Sequence, residues 1–120
     1  MKLQLPVSVE EKYRYIVEIL GSSLKPFNQL RPRERDVIGL LYYYNYKHRD
    51  IPEAYRDTIT FGADVKKEIA AKLDNMSMDN LCNILLELRK KDIITGASFN
   101  QKYLKPIQDI DSITFEFITK

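Results

Sequence analysis

Hydrophobic residues recur along this chain at helical spacing in four stretches, separated by polar breaks. Val9, Tyr13, Ile16, Val17 and Leu20 form the first stripe. Ser8 opens it and Glu11 follows three residues later, the spacing of a capping box. Gly21 comes next, where a left-handed C-cap sits, so the pattern predicts a helix over 9–20. A second helix is predicted over 32–47, with Val37, Ile38, Leu41 and Tyr44 as its buried face. Pro32 suits the first helical position, because the N–H it lacks has no partner there. Glu34 and Asp36 suit the positive end of the helix dipole. Gly39 in mid-helix costs about 0.5–1 kcal/mol relative to alanine, and its place suggests close approach by another element.

Asp64 reads as an N-cap for a third helix over 65–73, with Val65, Ile69, Ala70 and Leu73 on one side. Asp74, Asn75 and Met76 make a turn. Ser77 then caps a fourth helix over 78–91, whose core face is Leu81, Ile84, Leu85 and Leu88 and whose last turn carries Arg89, Lys90 and Lys91. Between and beyond these helices, residues 1–7 form an arm. Residues 21–30 hold a spacing of three in Leu24, Phe27 and Leu30 that fits a short helical turn. Residues 48–64 form a long connection, in which Pro52 discourages helix at Ile51 and the β-prone run Thr58 to Phe61 reads as a short strand. Ile93 and Ile94 start a strand that Gly96 ends. Residues 100–106 read as a loop or single turn, and 108–112 as a polar turn. Ile113, Phe115 and Phe117 alternate with Thr114, Glu116 and Ile118 as a terminal strand.

This order predicts a mainly α fold with a small β wing, in the α+β class: a winged helix-turn-helix. It has a three- to four-helix core and a two- or three-stranded antiparallel sheet. One domain spans 1–120, with an N-terminal helical pair over 8–47, a helix-turn-helix over 65–91 and a wing over 92–120. A length of 120 residues matches one domain. The 44% apolar and 30% charged composition is that of a globular chain. No apolar run reaches the ~18 residues of a membrane span, and the N-terminus has no apolar signal-peptide region. The one cysteine, Cys82, points to a reducing compartment: the cytoplasm of a cell or of an infected host cell. Cys82 lies in an apolar helix and reads as an inert packing residue. The one histidine, His48, lies between Lys47 and Arg49 and reads as a solvated residue near a helix end.

Residues 66–94 resemble the helix-turn-helix shared by LuxR-type response regulators and sigma-factor region four. The points of match are Glu68, Ile69, Ala70, Leu73, Ser77, Leu81, Leu85 and Leu88. The stretch from Leu30 to Val37 resembles the Leu-Thr-Pro-Arg-Glu-Arg-Glu-Val opening of the same group. The two stretches cover about a third of the chain. That group lacks both the long 48–64 gap and the C-terminal strand pair. The chain therefore resembles a winged helix with a sigma-like opening. The small size, the wing after the 88–94 run and the Ser98–Leu104 segment are similar to winged-helix proteins of phage and plasmid origin.

The resemblance implies that Met78, Asp79, Asn80, Cys82 and Asn83 face base edges in the major groove. Asn80 and Asn83 suit adenine, and Asp79 suits cytosine N4. It also implies that Lys66 and Lys67 touch the DNA backbone. Arg89, Lys90 and Lys91, with Lys102 and Lys105 in the wing region, add candidate phosphate contacts. The first three turns of helix 78–91 carry no cation, and phosphate pairing supplies much of the affinity of such proteins. Ile84 and Leu86 widen its apolar face, which suits a protein partner. Tyr42, Tyr43, Tyr44 and Tyr46 run on into Lys47 and Arg49. Because helical residues turn by about 100°, the tyrosines cannot all face one core. Tyr42, Tyr43 and Tyr46, with Arg35, form a candidate partner surface; stacking of single-stranded bases and simple packing at the rim are the other readings. Arg31, Arg33 and Arg35 alternate with Glu34 and Asp36, which suits local ion pairs or a phosphate contact.

Enzymatic chemistry is not expected. No Gly-rich phosphate loop occurs, a single histidine so placed forms no nucleophilic arrangement, and turn chemistry explains Asp109 and Asp111. No cofactor, metal or small-molecule substrate is expected. The expected function is non-enzymatic duplex-DNA binding in transcription regulation or replication, by this chain alone or as a homodimer. The alternative is a protein-interaction module, either a phage structural or adaptor protein or a polymerase-associated accessory subunit.

Overall fold

The computed structural model describes residues 8–109. Its centre is α2 (Pro32–Lys47), which is buried nearly all round: Val37, Ile38, Gly39, Leu40, Leu41, Tyr42, Tyr44 and Asn45 are all inside. The sequence pattern marks only one face of it. A helix apolar on every side is a core helix, and the others dress it. Helix α1 (Val9–Ser23) lies along α2, α3 (Glu53–Thr60) and α4 (Ala63–Lys72) touch it, and α5 (Met78–Lys90) packs across it. Strands β1 (Ile94–Thr95) and β2 (Ser98–Phe99) form an antiparallel hairpin, and α6 (Gln101–Asp109) follows. The fold among the described residues is mainly α with this one small hairpin, and no helix among them is long and apolar enough to cross a membrane.

Ser8 caps α1 as expected, its Oγ accepting the Glu11 N–H at 3.2 Å. The helix does not stop at Gly21 but continues to Ser23, with Leu24 as C-cap. Gly21 serves proximity instead: a Cβ there would lie 2.9 Å from Arg35 Nε. Gly39 does the same on the other helix, since a Cβ there would lie 3.3 Å from Arg14 Cα. The two glycines let α1 and α2 approach closely. The turn expected between them is a 3-10 turn, Phe27–Gln29, with Phe27 buried.

The expected strand at Thr58 to Phe61 is instead the end of α3. Pro52 does keep Ile51 out of a helix, yet it starts the next one as N-cap. Arg56, Asp57, Thr60 and Phe61 are the less exposed positions, a helical spacing. Burial of Thr60 and Phe61 overrides the β preference of the branched residues. The N-cap of α4 is Gly62, and Asp64 sits inside the first turn, where its charge still meets the positive helix end.

The hairpin pairs Ile94 with Phe99 and Thr95 with Ser98. Gly96 takes a φ of +60°, the left-handed value its turn requires. Phe99 is buried, its ring 5.3 Å from that of Tyr42 and 4.9 Å from that of Phe61. The expected loop over 100–106 is a correction: α6 occupies it, with Asn100 Oδ1 accepting the Lys102 N–H at 3.1 Å and Leu104 and Ile107 buried. Pro106 lies within that helix, which is why the sequence reads as broken there. The 108–112 turn is overturned at its first two positions, which close α6; its remainder, the arm over 1–7 and the terminal strand at 113–118 lie outside the described residues.

Candidate nucleic-acid interface

Helices α4 and α5 are joined by a tight turn. Asp74 and Asn75 have φ of 59° and 55°, values that Asn and Asp accept more readily than other side chains. The Met76 N–H reaches back to the Ala70 carbonyl at 3.0 Å. Ser77 then caps α5, accepting the Asn80 N–H at 3.2 Å. Leu81, Leu85 and Leu88 are buried and fix the helix's rotation. Asp79, Asn83 and Lys90 therefore point outward, flanked by exposed Met78, Cys82 and Leu86. The expectation that Cys82 packs inside is overturned: one residue past Leu81 carries it about 100° round the helix, and it is exposed.

Asn80 is also exposed. With Asn83 it edges a groove of about 730 Å³ between α5, the α4–α5 turn and the start of α2, where Arg31, Arg33, Asp74 and Asn75 also line the walls. The sequence pattern marks the arginines but not their place on this surface, because 41 positions separate Arg33 from Asp74, whose carboxylate it reaches at 2.7 Å.

The expected phosphate contacts divide into two groups. Lys66 is half-buried and Lys67 exposed, both on α4. The cations closing α5 are engaged within the chain: Arg89 Nε donates to the Gly96 carbonyl at 2.9 Å, Lys90 pairs with Glu87 at 3.2 Å, and Lys91 pairs with buried Glu34 at 3.1 Å. Hydrogen bonding and charge from Lys90 hold the Glu87 carboxyl below its usual range. Lys102 and Lys105 are exposed on α6, a helix and not a wing strand.

Tyr42 leaves the candidate partner surface altogether. It is 1% exposed and stacks on Phe99, and its hydroxyl has no hydrogen-bond partner among the described residues; burial raises its pKa. Tyr43 and Tyr46 are half-buried. Tyr46 carries the Arg49 guanidinium over its ring at 4.2 Å. Arg35 lies between Gly21 and Glu18, 3.5 Å from the latter.

His48 caps the end of α2, its Nδ1 3.3 Å from Thr60 Oγ1. Burial and then the Lys47 charge lower its pKa from 6.5, against an opposing pull from Glu68. The unfolded chain thus takes up the proton more readily. The stabilisation is complete above the unfolded pKa and is lost as pH falls through the lowered one. Urea midpoints should therefore fall on going from about pH 7.5 to about pH 5, and His48→Gln should flatten that fall.

No family model, curated protein or solved structure matches the chain. Function is to be read from the geometry.

Proposed function

We propose that the protein binds duplex DNA without catalysing a reaction, as a winged helix-turn-helix protein in transcription regulation or replication. The observation that carries this reading is the α4–turn–α5 unit followed at once by the β1–β2 hairpin, with Asn80 and Asn83 exposed on α5. A helix so presented fits the major groove, and its two amides match the donor and acceptor pair of adenine. Met78 and Asp79 lie on the same first turn. The reading places the protein in the cytoplasm, where the exposed Cys82 thiol stays reduced.

A specific observation favours a second reading. Met78, Cys82 and Leu86 form an exposed, largely apolar edge on α5, while three of the nearby cations already have partners. A protein-interaction module has that surface. Fluorescence anisotropy with random-sequence duplex at two salt concentrations separates the two. Binding that weakens steeply with salt supports the DNA reading; no binding at low salt sinks it and leaves the protein partner. On a selected site, Asn80→Ala with Asn83→Ala should weaken binding by about 1–3 kcal/mol for each bidentate amide–adenine pair removed. An unchanged sequence preference would remove these residues from the groove.

A further inference from the structure

We infer that Arg31 and Arg33 hold the DNA backbone and that Asp74 keeps Arg33 engaged until a phosphate displaces it. The inference rests on the duplex-DNA reading above. Both arginines and both amides, Asn80 and Asn83, open onto one groove, so a backbone seated on the arginines runs beside the side chains assigned to base edges. Charge around the groove is matched except at one point. Glu34 is taken by Lys91 at 3.1 Å, Glu87 by Lys90 at 3.2 Å and Asp74 by Arg33 at 2.7 Å. Arg31 is exposed and forms no ion pair among the described residues. It is the uncompensated cation of the groove.

Arg33 is held by bonds of the kind that exchange. Its side chain is 47% exposed and that of Asp74 is 85% exposed, and a pair so open to water contributes little. Its other partner, Asp36, is 3.8 Å away and is shared with Arg14. A backbone phosphodiester offers the guanidinium two acceptor oxygens at the same unit charge, and pairing with it releases condensed counterions. Lys91, by contrast, lies against a buried carboxylate, and Arg89 is committed to the hairpin turn.

The test measures anisotropy with random-sequence duplex for wild type, Arg33→Gln, Arg31→Gln/Arg33→Gln, Asp74→Asn and Asp74→Asn/Arg33→Gln. Asparagine accepts the left-handed φ at position 74, so Asp74→Asn removes the charge and keeps the turn. Removing two arginine–phosphate pairs should make the slope of log K against log salt shallower by about 1.8. Between about 50 and 200 mM salt, wild type should then lose roughly twelve times more affinity than the double arginine variant. Asp74→Asn should tighten binding several-fold, and only while Arg33 is present. An unchanged slope in the arginine variant overturns the inference while leaving the DNA reading in place. An Asp74→Asn gain that persists without Arg33 overturns the latch, since simple charge removal then accounts for it. Wild-type protein that does not bind at all overturns both.

Discussion

Truncating Leu88 to alanine is expected to destabilise the protein by about 2–5 kcal/mol. Leu88 is fully buried, and its carbonyl accepts the Ile93 N–H at 3.1 Å, at the joint between α5 and the hairpin. Helix α5 packs against α2, α4 and β1, three separate elements, so the cavity is expected to persist. Domains are stable by only about 5–15 kcal/mol in total, which makes this a large fraction. Leu86→Ala is the control. Leu86 has the same chemistry two positions away but is 47% exposed, and surface substitutions of this kind stay within about 0.5 kcal/mol. Urea denaturation measures both, read as a change of midpoint at constant slope. Equal costs for Leu86 and Leu88 would mean that α5 is rotated, and every assignment on its outer face would move with it.

The helices whose stripes face a single layer were legible in the sequence. Ser8 and Ser77 mark true starts because each is followed by a run whose buried side is one stripe, and their hydroxyls do accept the first free N–H groups. A residue whose role is set by something distant in the chain carries no such local signal. Gly21 looks like a helix stop, yet it makes room for Arg35. Thr58, Ile59 and Thr60 look extended, yet Thr60 and Phe61 must turn inward together, and only a helix does that here. Pro106 looks like a breaker, yet Leu104 and Ile107 on either side of it hold α6 to the core.

The candidate site was half legible for the same reason. Asn80 and Asn83 follow from the spacing of Leu81, Leu85 and Leu88, a local pattern. The exposure of Cys82 follows from it too, once the helix's rotation is fixed by three leucines and not by overall apolarity. The burial of Tyr42 depends on Phe99, 57 positions on, and the groove depends on the start of α2 lying beside the α4–α5 turn. No local pattern carries either. The cations were the most misleading residues, because a basic run reads alike whether it faces solvent or an acid from another helix.

Lys91 decides that last point. Lys91→Met is expected to cost about 3 kcal/mol, the low end for removing one partner of a buried pair. It would leave the Glu34 carboxylate, only 5% exposed, with the Arg31 N–H at 3.1 Å as its remaining partner among the described residues. Glu34→Gln should cost about half as much, because the amide oxygen still accepts that N–H while Lys91, 20% exposed, keeps Glu87 at 3.6 Å. Glu34→Met with Lys91→Leu should recover most of the loss, since a well-packed apolar pair often matches a buried ion pair. Urea midpoints of the three variants test this order. The same Lys91→Met protein, kept folded at low temperature, should bind duplex DNA with the wild-type salt slope. A shallower slope would return Lys91 to the DNA surface, where the sequence alone had placed it, and would mean that phosphate can compete with the buried carboxylate of Glu34.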